Sequence, residues 1–198
     1  MIIRRLFGSD IDEVTRIHVK AFSGFFLSQM GESFLRLYYK SLLDHKKGFG
    51  FGTFDTDCNL LGFSVATTYS RGFNKDLVLK SFFPFLTVGI KVLFTKPKSL
   101  LRLVRNLSKN VNHIDDGNYA ELFSIAVDPE IQGRGIGKLL LISTEKAASE
   151  NGCNRIVLTT DFYNNDDVIN FYSNLGYHIY YEFVTYPNRK MNKMIKNI

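Results

Sequence analysis

Apolar and polar positions along the chain change their period several times, and each change marks an element. "MIIRRLF" at the start reads as a strand. Ile11, Val14, Ile17 and Ala21 then recur at helical spacing behind Ser9 or Asp10 as the cap. A second helix is expected over "GESFLRLYYKSLLDH", with Phe34, Leu35, Tyr38, Leu42 and Leu43 on one side. "FGFGTFDTDCNLLGFSVATTYS" reads as a hairpin, two strand-like runs flanking a turn-rich "DTDCN". Further on, "NYAELFSIAV" is a long strand, "GIGKLLLISTEKAASENG" a helix ending at Gly152, "RIVLTTD" a strand, and "NDDVINFYSNLG" a short helix ending at Gly176. "YHIYYEFVTYPNRKMNKMIK" closes the chain as a pair of strands. The order is β-α-α-β-β, an insert, then β-α-β-α-β-β. It is a mixed α/β chain centred on strand, glycine turn, helix and strand.

The insert, residues 71–118, breaks the pattern. Its apolar residues come in clumps, "SFFPFLTVGIKVLF" and "SLLRLVRNL", predicting two or three helices broken at Pro84 and Pro97. From Lys75 to Lys109 it carries eight Lys and Arg against one acid, Asp76. With 198 residues and 45% apolar side chains, one domain spanning 1–198 and holding this insert is expected. The formal charge of +6 favours an anionic partner, which could be a phosphorylated cofactor, nucleic acid or a membrane surface. No RNA- or DNA-binding motif accompanies the charge, so no nucleic acid is expected. Cys58 and Cys153 are two lone thiols with no zinc-like Cys/His spacing, so no metal is expected and a reducing cytoplasm fits. The N-terminal stretch lacks the apolar run of a signal peptide.

The densest chemical signal is "SIAVDPEIQGRGIGKLLL", with Gly133, Gly135 and Gly137 between a strand and a helix start. A helix start presents unpaired N–H groups and the positive end of the dipole, an anion site. Glycines before it let an anion approach the backbone, and Arg134 and Lys138 add charge. A pyrophosphate site is therefore the leading reading. "GRGIGK" has the wrong spacing for a dinucleotide-binding fingerprint, and it lacks both the spacing and the hydroxyl of a P-loop. A glycine turn that merely joins strand to helix is the plain competitor.

At this point the sequence resembles the Gcn5-related N-acetyltransferase (GNAT) superfamily. Its motif (Q/R)-x-x-G-x-(G/A) is matched from Gln132 through Gly133, Arg134, Gly135 and Ile136 to Gly137. The preceding "VDP" is similar to the end of the family's fourth strand. "NDDVINFYSNLGY" is similar to a second family segment, with Asn165, Tyr172, Gly176 and Tyr177 in place and Val168 where alanine is usual. The resemblance implies the GNAT fold: a mixed, mostly antiparallel sheet splayed between its fourth and fifth strands, helices on both faces, here with a helical insert before strand four.

The resemblance also implies acetyl transfer from acetyl-CoA to an amine. Backbone N–H groups of Gln132 to Lys138 would hold pyrophosphate. The strand edge at Ile125, Ala126 and Val127 would pair with pantetheine, most directly at Ile125 and Val127. The Val127 amide would face the thioester carbonyl, and Asn165 would touch the cofactor from the other side. Tyr172 is the candidate acid for the leaving thiolate. Its competitor reading is a core aromatic. Glu121, eleven residues before Gln132, is the candidate base. It is also an acid in an apolar strand, where burial could raise its pKa; a solvated strand-end carboxylate or a water chain are the alternatives. His18 is expected to be structural or exposed, and His113 and Asp161 are weaker candidates near the substrate. Tyr38 and Tyr39 border the acceptor side or simply pack.

The acceptor is expected to be a small-molecule primary amine, an amino sugar being one guess, with a protein or peptide amine as an alternative. A non-catalytic acyl-CoA-binding or regulatory module is the rival class. The insert reads as a lid over the acceptor or as cover for a sheet face or dimer contact. A membrane-surface element ranks below these, and Pro84 and Lys91 argue against a spanning helix. Monomer and homodimer both stay open.

Overall fold

The computed structural model describes residues 1–98, 101, 102, 105 and 115–198. Its strands are β1 (Ile2–Arg5), β2 (Gly48–Phe54), β3 (Leu60–Thr67), β4 (Ala120–Val127), β5 (Arg155–Asp161), β6 (His178–Thr185) and β7 (Arg189–Asn197). Its helices are α1 (Ile11–Ala21), α2 (Phe26–Met30), α3 (Glu32–Asp44), α4 (Phe73–Lys80), α5 (Phe82–Thr95), α6 (Ile136–Glu150) and α7 (Asp166–Ser173). The strands form one sheet in the order β1-β2-β3-β4-β5-β7-β6. Every pair is antiparallel except β4–β5, which is parallel. This is the mixed, mostly antiparallel sheet with helices on both faces that the resemblance implies.

The two faces have separate cores. On one, α1 and α3 bring Ile17, Leu35 and Leu42 against Phe63 and Val65 of β3. On the other, Leu141 of α6 and Tyr172 of α7 pack on Leu122, Ile156, Leu158 and Met194. The 3.6-residue spacing of α1 explains its burial: Val14 and Ile17 are fully enclosed, while Asp12, Glu13 and Arg16 face out. A polar tie crosses the second core, where the hydroxyls of Ser64 on β3 and Thr144 on α6 lie 2.8 Å apart.

The structure departs from the sequence expectations in two places. Five residues between the first two long helices form α2, too short for its period to register. Pro84 breaks nothing: it occupies the first turn of α5, where no intrahelical N–H is needed, and the helix break falls at Ser81. Beyond Pro97, residues 97, 98, 101, 102 and 105 are helical. The rest of the "SLLRLVRNL" stretch, read from the sequence as a helix, and His113 lie outside the described residues.

Candidate functional site

The site begins where two strands part. β4 and β5 pair only through Ala120↔Ile156, Glu121↔Val157 and Leu122↔Leu158. Just beyond, the β3–β4 register shifts: Ala66 faces Leu122 but Val65 faces Ser124, so Phe123 is an extra residue in β4. Such a bulge bends the strand that carries it. β4 continues to Val127 without a β5 partner, and the gap becomes a cleft of about 880 Å³. The backbone alternation fixes what this free edge offers. The Asp128 N–H donates to Leu61 O at 2.9 Å, so Asp128 and Ala126 turn their polar groups toward β3. Ile125 and Val127, one residue out of phase, turn theirs into the cleft.

The glycine turn closes one end. Asp128 caps the short 3-10 turn Pro129–Ile131 by accepting from Glu130 N at 3.1 Å, and it also holds Lys20 at 2.8 Å and Arg16 at 3.2 Å on α1. The end of β4 is thus anchored before the chain turns. Gly133 and Gly135 have φ of +83° and +75°, in the left-handed region, and a Cβ at either would meet nothing within 4 Å. The backbone conformation requires these glycines, while the space beside them stays open. Gly135 is the N-cap of α6, no side chain caps that helix, and its first turn holds no acid. Its N–H groups therefore face the cleft uncapped, with Gln132, Arg134 and Lys138 also on the lining.

Tyr172 and Asn165 form the α7 side. Tyr172 is buried between the rings of Phe171 and Tyr177, at 5.1 and 5.6 Å. Burial raises its pKa, so the phenol stays protonated. Asn165 donates through Nδ2 to Thr160 Oγ1 at 2.6 Å and to Asp161 O at 2.9 Å, fixing the loop from β5 to α7.

Glu121 is placed differently from the other candidates. It is not among the cleft-lining residues. Its carboxylate accepts from Lys193 Nζ at 3.0 Å and from the Ser70 hydroxyl, and the side chains of Glu121 and Lys193 are only 15% and 10% exposed. His18 is buried, as expected for a structural residue, yet it lines the cleft. Its Nδ1 lies 2.6 Å from the Tyr39 hydroxyl, which donates to Ser124 Oγ at 3.1 Å. Burial lowers the His18 pKa to about 4, so the ring is neutral near pH 7, and its Nε2 has no partner among the described residues. Ser124, a hydroxyl inside an apolar strand, is the one readable signal for this chain that the sequence reading passed over. Asp161 lies at the far end of the cleft, paired with Arg189 of β7, whose guanidinium stacks over Phe25 at 5.0 Å. Tyr38 and Tyr39 are both packing residues of α3 against α1 and the sheet.

Residues 100–177 match the acetyltransferase (GNAT) family model. Solved structures align along the whole chain. A ribosomal-protein alanine N-acetyltransferase of Escherichia coli is 16% identical, with a TM-score of 0.63 over 100% of this chain and 93% of that one. Naa20 of Chaetomium thermophilum, solved with a bisubstrate analogue, is 18% identical with a TM-score of 0.59 over 100% and 87%. The PaiA N-acetyltransferase of Thermoplasma acidophilum, solved with coenzyme A, is 15% identical with a TM-score of 0.54 over 100% of both chains. At these identities the likeness is one of fold. The matched segment, by contrast, contains β4, the glycine turn, α6, β5 and α7, both walls of the cleft. The likeness to the acetyltransferase (GNAT) family model is thus confined to that segment, and the likeness over the whole length is one of fold.

Proposed function

We propose that the protein is an acyl-CoA-dependent N-acyltransferase that passes an acetyl group from acetyl-CoA to a primary amine by direct attack within a ternary complex. One observation carries the reading: the free edge of β4 at Ile125 and Val127 leads straight to the uncapped start of α6 in a single cleft. An extended amide-bearing chain ending in a pyrophosphate fits that sequence of groups. The neighbour solved with coenzyme A supports it. The N–H groups of the Gln132–Lys138 turn would hold the pyrophosphate, with Arg134 and Lys138 screening its charge. The polar edge of Ile125 and Val127 would pair with pantetheine, and Asn165 would bound it from the α7 side. Acetyl-CoA supplies an activated acyl group, so the chain's own task is positioning and proton handling. The Val127 N–H, turned into the cleft, would donate to the developing oxyanion. The protonated Tyr172 hydroxyl would give its proton to the departing thiolate.

The acceptor amine must lose a proton as it attacks. Glu121 is tied to Lys193, so the polar path that opens on the cleft is Ser124, Tyr39 and His18. We assign the acceptor to a small-molecule amine, amino sugars first, entering by Asp161 and Arg189. We place the reaction in the cytoplasm, where free thiols such as Cys58 and Cys153 persist.

Calorimetric titration with acetyl-CoA, with ATP and dephospho-CoA as controls, tests the cosubstrate. Acetyl-CoA should bind more tightly than ATP; a folded protein that binds neither refutes the proposal. With an acceptor found by screening amino sugars, polyamines and peptides for thiol release, Tyr172→Phe should lower kcat by about a hundredfold. Its acetyl-CoA affinity should not change. Equal turnover would remove Tyr172 from the chemistry.

A further inference from the structure

The outer face of α5 is apolar and no described residue covers it. On its inner face Val92 is buried, and Phe85 and Val88 pack on Met30, Phe34 and Tyr38. A helix bound on one side alone should be polar on the other. Instead Phe83, Leu86, Ile90, Leu93 and Phe94 follow at spacings of three and four, and they are 76%, 46%, 50%, 50% and 82% exposed. Leu79, at the end of α4, extends the face and is 71% exposed. Single exposed apolar residues are ordinary, but a continuous stripe of this kind marks an interaction surface.

The charges around the stripe narrow the partner. From Leu77 to Lys98 the sequence has four lysines, Lys80, Lys91, Lys96 and Lys98, and no acid. Lys80 is paired with Asp76, whereas Lys91, Lys96 and Lys98 have no carboxylate partner among the described residues. A second copy of the chain docked face to face would bring those lysines against their own kind, which is unfavourable. An anionic lipid surface complements both features, since it accepts apolar side chains below its headgroups and ammonium groups among its phosphates. Length and composition admit a crossing only for α4 and α5 taken together. No single helix among the described residues is long and apolar enough to cross, and α4 and α5 meet at a 92° bend. The fourteen residues of α5 extend about 21 Å, short of a bilayer core, and its inner face is already committed to α3.

We propose that α4 and α5 seat the protein on the surface of an anionic bilayer, with the outer face of α5 inserted at the level of the headgroups and upper acyl chains. This function is carried by a different part of the molecule from the cleft, and it does not depend on the acyl-transfer reading. The test is flotation of the full chain with phosphatidylcholine vesicles and with phosphatidylcholine–phosphatidylglycerol vesicles. The chain should float with the anionic vesicles and remain largely behind with the neutral ones. The double variant Phe83→Ser/Phe94→Ser should weaken that partition by about tenfold or more. Its melting temperature and acetyl-CoA binding should match the parent, because both side chains are solvent-exposed. Changing Lys96 and Lys98 to Gln should weaken it further and flatten its salt dependence. No flotation of the parent, or flotation that the two serines leave unchanged, overturns the proposal. So does a dimer in lipid-free sedimentation velocity that the same serines convert to monomer, since the stripe would then be a contact between copies.

Discussion

Glu121 and Lys193 show how a residue's type can be informative while its role depends on what it meets. Both are nearly buried and pair at 3.0 Å across the sheet. Removing one member of such a pair leaves a desolvated charge behind, a cost of about 3 kcal/mol or more. Glu121→Gln should therefore lower the melting temperature by several degrees while the acidic limb of the kcat/KM profile stays in place. If the limb vanished and the melting temperature held, Glu121 would be the general base after all. His18 gives a second, independent readout. Its folded pKa of about 4 lies below the unfolded value of 6.5, so between these two values the unfolded chain binds the extra proton. The contribution to stability is complete above pH 6.5 and is lost as the pH falls toward 4. The full span is about 3 kcal/mol. His18→Asn should flatten this part of the curve of melting temperature against pH. A variant that loses stability in parallel with the parent between pH 6.5 and 4 would show that other groups cause the loss.

Elements with a long, clean period were legible in the sequence, while those whose form depends on neighbours were not. The α1 spacing of Val14 and Ile17 leads directly to the buried face found. α2 was missed because five residues cannot display a helical period. Pro84 was misjudged because a proline's effect depends on whether it falls in the first turn or later, and the sequence did not locate Ser81 as the start. The glycine turn was legible as a candidate anion site, and the structure adds a second reason for its glycines: Gly133 and Gly135 have positive φ, with open space beside them. The role of Glu121 was illegible because Lys193 and Ser70 are 72 and 51 residues away in sequence. At the start of α6 the consequence is testable. Gly135→Glu would force an L side chain into the left-handed region, at about 1–2 kcal/mol, and set a carboxylate in the proposed pyrophosphate site. Acetyl-CoA affinity should fall by a hundredfold or about that, through strain and like-charge repulsion together. Gly135→Ala, which carries the strain alone, should lose about tenfold. If both variants fold and bind as the parent does, the anion site is elsewhere.

Across the whole molecule, three residue pairs between β4 and β5 are the direct strand contact joining the β1–β4 part of the sheet to the β5–β7 part. Below Leu122 the two parts are bridged by side chains of α6 and α7 rather than by a backbone ladder. A ligand that pairs with the free β4 edge adds to this seam, so binding and stability should rise together. At about a hundredfold excess over its Kd, acetyl-CoA should add about 2.7 kcal/mol, which is about 5–10 °C in melting temperature for a chain of this size. Amide hydrogen exchange locates the gain. Without ligand, the Ile125 and Val127 N–H groups have no strand partner among the described residues and should exchange faster than those of Ala126 and Asp128, which face β3. With acetyl-CoA, Ile125 and Val127 should slow the most, together with the amides of Gly135 to Lys138, while β1 and β2 change only in step with global stability. Uniform slowing with no excess at Ile125 and Val127 would mean that the cosubstrate stabilises the fold without using the β4 edge. In that case the bulge at Phe123 would open a cleft for the acceptor alone.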